Sequence, residues 1–456
     1  MKLRWIICLC VLGAGLLMAS TVRAGVAEAE GGAAHGLDPL VLAGVAVIWI
    51  VAKVCGELFE RLGQPAVLGE LCGGILLGNL ILAGVTVAEP LKTNAIISAL
   101  AELGVIVLLF EVGLESNLGE MLEVGWSSLL VAALGVVAPF FLGWAVAAYF
   151  IPQEPRLAHI FIGATLCATS VGITARVLKD LKRLRTRAAR IILGAAVIDD
   201  VLGLLILAIV AGAIQATAAG TELSLVAIAL IAGKCVVFLV GAIILGHYLV
   251  PRFLSGVGRF ESRGVLLALS LAFCFLLAWG AKKVGLAEIV GAFAAGLLLD
   301  EVHFKKNPRH EKRDLEQLII PVSSLLAPIF FVLMGLKVDL RVFGRLDILG
   351  FALVLTLFAI IGKQFCSLGV VERGVNRLAV GFGMIPRGEV GLIFAGIGAT
   401  LFLPDATGAR VPVIDANVFG AIVIMVIITT LITPPALKWA MGRKEVGEKS
   451  VAEINS

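Results

Sequence analysis

"ILGAAVIDDVLGLLILAIVAG", residues 192–212, sets Asp199 beside Asp200 inside an apolar run about as long as a bilayer core is thick. An ionised Asp at the bilayer centre costs roughly 2.5–3.5 kcal/mol on insertion scales, so a pair of them implies a function. Successive helical residues point about 100° apart. One carboxylate is therefore able to hold an ion while the other meets a neighbouring helix. Burial and mutual repulsion make such a pair titratable in the physiological range. The alternative is a structural pair bonded to adjacent helices.

Composition sets the class. The chain has 456 residues, of which 60% are hydrophobic and 15% charged, and its mean hydropathy is +1.05. These values describe an all-α polytopic membrane protein lying in the lipid bilayer. A dispersed net charge of +4 offers no basic groove for nucleic acid. At the N-terminus, Lys2 and Arg4 precede a short apolar stretch and "VRA" precedes Gly25. Residues 1–24 read as a signal peptide whose cleavage leaves the N-terminus outside, with an uncleaved helix as the alternative. Cys55, Cys72, Cys167, Cys235, Cys274 and Cys366 sit singly in apolar runs, without metal or disulfide spacing, and read as small hydrophobes. No GxxxxGK[ST] phosphate loop occurs. No cofactor is expected, the chain is not expected to be an enzyme, and its energy source is an ion gradient.

Thirteen apolar segments are long enough, or nearly so, to cross: 39–57, 66–86, 94–114, 125–150, 157–178, 188–216, 222–250, 264–281, 285–300, 318–336, 346–370, 378–401 and 414–437. Starting outside, the cytoplasmic side receives "KDLKRLRTRAAR" (179–190), Arg252, Arg259, Arg263, "HFKKNPRHEKR" (303–313), Arg443 and Lys444. The other side receives only scattered basic residues, in accord with the positive-inside rule and a cytoplasmic C-terminus. The chain also resembles itself. "VLGELCGGILLG" (67–78) matches "IVGAFAAGLLLD" (289–300), and "LLFEVGLE" (108–115) matches "FFVLMGLK" (330–337), both at an offset of 222 residues. The offset pairs spans 1–6 with spans 8–13 through a linking span 7. Because six is even, one linking helix inverts the second copy, the pattern of an inverted-repeat transporter with its site between the repeats.

Oxygens that bind either protons or a small cation make the Asp pair an exchange site. In span 5, "ATLCATSVGITARVL" (164–178) supplies the hydroxyls of Thr165, Thr169, Ser170 and Thr174 around Gly172. Hydroxyls and freed carbonyls suit a desolvated alkali cation, but Ser and Thr also simply back-bond to their helix. In span 12, "GMIPRGEVGLIFAGIG" (383–398) is broken by Pro386 and loosened by Gly388, with Arg387 and Glu389 able to satisfy freed groups or each other. Spans 5 and 12 correspond under the 222 offset, and interrupted helices in corresponding halves point to a transporter site. Lys363, in "LFAIIGKQFCSLG" (357–369), lies about 12 Å of helix rise from Glu372. A buried Lys wants a carboxylate, and a cation that breaks the pairing couples lysine deprotonation to binding. Lys234 in span 7 is equally apolar, and physics does not rank the two. Glu70, on a glycine-rich helix, either enters an ion path or serves a packing contact. Lys53 and Glu57, four residues apart, read as a neutralising pair.

Six blocks in order, "GQPAVLGELCGGILLGN", "LGVIVLLFEVGLE", "TSVGITARVLKDL", "GAAVIDDVLG", "APIFFVLMGLKVD" and "GMIPRGEVGLIFAG", make residues 37–440 resemble the monovalent cation:proton antiporter-2 family, which includes bacterial sodium/proton antiporters. The resemblance implies a homodimer of thirteen-span elevator-type protomers in the cell inner membrane. It implies scaffold and dimerisation spans in 37–121 and 251–340, core spans in 122–217 and 341–440, a linking span in 218–250 and a cytoplasmic tail in 441–456. Spans 5 and 12 are then broken and cross near the Asp pair. By matching position, Lys363 is the partner of Asp199 and Asp200 the main Na+ ligand, which favours Lys363 over Lys234. Two Asp residues resemble electrogenic members. Potassium-efflux relatives carry a soluble regulatory domain after the membrane part, and the absence of one here departs from them.

The expectation is an antiporter exporting Na+, with Li+ or K+ as further cargo, in which Asp200 exchanges protons for the cation with help from Ser170 or Thr169. The rivals are a sodium-coupled organic-anion symporter, a K+/H+ antiporter, and a channel or sensor.

Overall fold

The computed structural model describes residues 38–83, 88–115, 125–183, 186–218, 220, 226, 228–238, 241, 242, 244, 248, 263–304, 312–404 and 410–442. The expected signal peptide (1–24), nearly all of the tail (441–456) and much of the linking span lie outside the described residues.

The helices are α1 (Pro39–Arg61), α2 (Ala66–Gly78), α3 (Glu89–Thr93), α4 (Ala95–Glu115), α5 (Trp126–Phe150), α6 (Arg156–Thr165), α7 (Val171–Asp180), α8 (Arg187–Ala218), α9 (Ile228–Phe238), α10 (Arg263–Lys283), α11 (Glu288–Phe304), α12 (Lys312–Leu336), α13 (Leu346–Phe365), α14 (Arg377–Gly383), α15 (Gly388–Thr400) and α16 (Ala416–Gly442). Between α15 and α16, β1 (Phe402–Pro404) pairs antiparallel with β2 (Arg410–Pro412). Length and apolarity qualify eight described helices to cross a bilayer, or nine when α14 and α15, bent by 45°, count as one span. The protein is a multi-pass membrane protein. The remaining expected spans coincide with the shorter helices Ala66–Leu82, Ile228–Phe238 and Glu288–Leu299, and with the interrupted pair α6 and α7.

The chain divides into two compact units, Met1–Glu111 with Arg313–Gly344, and Val112–Lys312 with Arg345–Ser456. In the first, glycines allow close approach without side chains between backbones. A Cβ on Gly69 would meet the Cys55 carbonyl of α1, and one on Gly74 or Gly335 would close the contact between α2 and α12. Asn79 ends α2. Its Nδ2 donates to the carbonyls of Ile75 (2.8 Å) and Val338 (2.7 Å), and its Oδ1 accepts from the Leu340 N–H (2.9 Å). Glu57 pairs with Arg61 at 2.7 Å. The pairing with Lys53 expected from sequence is replaced because Arg61 lies at the same four-residue spacing on the other side.

The second unit carries the long Asp-bearing helix. α5 packs on α6, α8 and α13, while α16 packs on α13, α14 and α15. Val131, Leu178, Ala188, Ile192, Val380 and Leu437 form one core of this unit.

Asn79→Ala would leave the Leu340 N–H and the Val338 carbonyl without their buried partner. It should lower the stability of the purified protein by about 1–3 kcal/mol, measured as an earlier thermal unfolding in detergent; an unchanged transition contradicts the role given to Asn79.

Candidate functional site

Two interrupted helices build the site. The chain leaves helix between Thr165 and Val171, and again between Gly383 and Gly388. The second break has a local cause. Pro386 brings no N–H, disfavours helix at Ile385, and is followed by Gly388 at φ +38°. A Cβ at Gly388 would also lie 2.6 Å from the Ser170 Oγ, so glycine answers both the backbone angle and the close approach. The first break holds no proline and depends on its partners.

Backbone groups freed inside an apolar protein must find donors and acceptors there. Each break finds them largely on the other. The Ser170 N–H donates to the Pro386 carbonyl at 2.7 Å, and Thr174 Oγ1 donates to the Gly383 carbonyl at 2.6 Å. Arg387 Nη1 donates back to the Ala168 carbonyl at 2.7 Å, and its Nη2 to the Ala359 carbonyl of α13 at 3.2 Å. Lys363 Nζ donates to the Cys167 carbonyl at 2.6 Å. Both buried cations thus serve consecutive carbonyls just past the C-terminal end of α6, where the helix dipole is negative. Glu389 lies in the first turn of α15, where the dipole is positive.

The carboxylates join this frame. Lys363 Nζ reaches Asp199 Oδ1 at 3.0 Å and Oδ2 at 3.2 Å, and neither residue has any exposed surface. Asp200, one residue on, keeps 8% of its surface exposed. The Thr169 hydroxyl lies between Asp199 and the Met384 carbonyl, 3.3 Å away, with one proton to give to either. Ser170 Oγ donates to Glu389, whose two oxygens are both 2.9 Å away. The set is three carboxylates, the buried Asp199 and Asp200 and the half-buried Glu389, against two buried cations, Lys363 and Arg387. With all five ionised, one negative charge is left over.

Most of the candidates from sequence therefore meet. Arg387 and Glu389 do not pair with each other but each serve span 5, through Ala168 and Ser170. Thr165 back-bonds to Ile162 in its own helix at 2.7 Å. Lys234 is exposed, and the geometry sets Lys363 alone of the two on Asp199. Glu70 belongs to the first unit, is 5% exposed, and lies against Gly56 of α1. Sequence reasoning missed the carbonyls of Cys167, Ala168 and Ala359, since a backbone acceptor leaves no mark in residue type. Among the described residues no group of three His, Cys, Asp or Glu side chains is arranged to hold a metal ion.

The pattern of the family described as "Sodium/hydrogen exchanger, transmembrane" matches residues 46–442. The chain belongs to that family. The high-affinity Na(+)/H(+) antiporter NhaS3 of Synechocystis sp. is 40% identical over 456 residues, covering 91% of this chain and 94% of its own. The Na(+)/H(+)-K(+) antiporter GerN of Bacillus cereus is 34% identical over 411 residues, 89% of this chain and 97% of its own. The sodium proton antiporter MjNhaP1 of Methanocaldococcus jannaschii, solved at pH 8, is similar in fold with a TM-score of 0.66 at 15% identity, covering 90% of this chain and all of that one. This exchanger-family fold is thus a helical polytopic transporter fold.

Removing one member of a buried pair leaves the other charge uncompensated, at a cost of about 3–5 kcal/mol. Lys363→Ala should lower the melting temperature sharply, and Lys363→Ala with Asp199→Asn should recover most of the loss. Additive losses across the four proteins contradict the pairing.

Proposed function

We propose that the chain is a secondary active antiporter that exchanges cytoplasmic Na+ for external protons at the Asp199–Asp200 pair. The observation that carries this reading is the set of buried Asp199 and Asp200 gathered with the half-buried Glu389 around two buried cations, Lys363 and Arg387. One cation or one proton makes it neutral, and without either it stays charged in a medium where charge is costly. Membership of the exchanger family, and the Na+/H+ antiport named for NhaS3 and GerN, support it further.

In the cycle, Asp200 loses a proton to the cytoplasm and takes Na+, with Thr169 and carbonyls of the breaks completing the shell. Ser170 gives its hydroxyl proton to Glu389 and so keeps its oxygen lone pairs for the cation. The arriving cation draws Asp199 from Lys363. The loaded core then crosses, releases Na+ outside, takes up protons and returns. An empty, charged site does not cross, which couples the two fluxes. Asp199 and Asp200 each taking a proton would return the set with one net positive charge, drawn inward by the membrane potential, and so make the exchange electrogenic, a reading supported by the two-Asp resemblance.

The finer architecture belongs to the same proposal: thirteen spans with an inverted repeat, a mobile core of 122–217 and 341–440 moving as an elevator on scaffold segments 37–121 and 251–340, a homodimer in the cell inner membrane, and the N-terminus outside. The equal spacing of Ala66 and Glu288, which open α2 and α11 222 residues apart, supports the repeat. K+ is the second reading for the cargo, favoured by the printed name of GerN. An organic-anion symporter is disfavoured because two of the Arg387 nitrogens are committed to carbonyls.

In proteoliposomes under an imposed pH gradient, wild type should move protons against added Na+. The half-saturating Na+ should rise as pH falls on the binding side, since proton and cation compete for the same oxygens. Asp200→Asn should abolish the exchange; transport by that variant at the wild-type rate overturns the reading.

A further inference from the structure

Once a cation takes Asp199, the Lys363 ammonium loses an acceptor at a fully buried position. Its remaining bond, to the Cys167 carbonyl at 2.6 Å, satisfies one of three N–H donors. An acceptor is available on α5. Gly135, Pro139 and Gly143 fall at four-residue spacing and share one face of this helix. Gly143 meets Gly163 of α6, and Pro139 lies on Gly362, the neighbour of Lys363, where a Cβ would be 2.9 Å from the Pro139 Cα. Gly135 faces the ion pair itself. A Cβ there would stand 3.6 Å from Lys363 Nζ and 3.9 Å from Asp199 Oδ1.

Pro139 has no N–H, and in an α-helix that N–H would bond the carbonyl four residues earlier. That carbonyl belongs to Gly135. The Gly135 carbonyl, on the residue of α5 that faces the Lys363–Asp199 pair, therefore lacks the N–H that position 139 would otherwise give it. The next carbonyl, Val136, accepts the Cys167 thiol at 3.5 Å, so this turn already receives donors from the first helix break.

We propose that the Gly135 carbonyl is the acceptor that holds the Lys363 ammonium after a cation displaces it from Asp199. The proposal rests on the exchange reading given above. Lys363 then moves between Asp199 and Gly135 while the Cys167 carbonyl keeps hold of it, and the missing side chain at 135 leaves the path open. The exchanged protons belong to the carboxylates, because an ammonium between two carbonyls keeps its charge.

Pro139→Ala and Pro139→Val both restore an N–H at 139 and draw the Gly135 carbonyl into the helix ladder. Val keeps nearly the volume of Pro, and Ala does not. Both residues favour helix over Pro, so folding is not threatened at this position. Na+-dependent exchange and Na+-dependent thermal stabilisation are measured on wild type and both variants. Both variants should raise half-saturating Na+ by about tenfold and to the same extent, the scale of one charge-assisted hydrogen bond. Half-saturation within twofold of wild type in both variants, or a shift in Ala alone that tracks lost packing on Gly362, overturns the proposal while wild-type exchange stands. Absence of exchange in wild type fails the antiport reading and this proposal with it.

Discussion

A carbonyl freed inside a membrane protein has no water to turn to, and this constraint organises the second unit. Two helices are interrupted at the same place, and most of what surrounds them is there to satisfy the groups their breaks release. Lys363 and Arg387 answer consecutive carbonyls, Cys167 and Ala168. Thr169, Ser170 and Thr174 answer Met384, Pro386 and Gly383. The cations are thus held by backbone geometry first. Asp199 comes to Lys363 as one partner among two, beside the Cys167 carbonyl.

Electrostatics follows from that arrangement. Opposed half-helices put a negative end beside the cations and a positive end beside Glu389, so Lys363, Arg387 and Glu389 are partly compensated by backbone dipoles. The set of three carboxylates and two cations is unequal in charge. Close backbone packing surrounds it. Gly135, Gly362 and Gly388 bring backbones against it where a side chain would stand in the way.

The sequence made legible what rests on residue type. Two carboxylates in an apolar run, a proline in the 378–401 segment and a hydroxyl-rich 157–178 segment singled out residues that the structure brings together. The four hydroxyls could not be told apart by type, yet Thr165 back-bonds while Thr169 and Ser170 reach other helices, because the helix ends between them. The break in span 5 has no proline and is sustained by donors from distant positions, so no local signal marks its ends. Lys234 and Lys363 looked alike, since hydropathy does not say which face of a helix meets protein. Glu57 had two basic residues at equal spacing, and it pairs with Arg61. Pro139 drew no reading from the sequence, since that Gly135, four residues before it, faces Lys363 is a fact of tertiary structure.

The central claim is that Na+ and protons compete for one buried carboxylate pair, and proton release on Na+ binding tests it most directly. Na+ is added to purified wild-type protein and to Asp200→Asn in weakly buffered detergent solution, and the change in proton concentration is read across pH. The account predicts protons released by wild type as Na+ binds, with no release from Asp200→Asn. Na+ binding by wild type, seen as thermal stabilisation, with no proton release at any pH would contradict it.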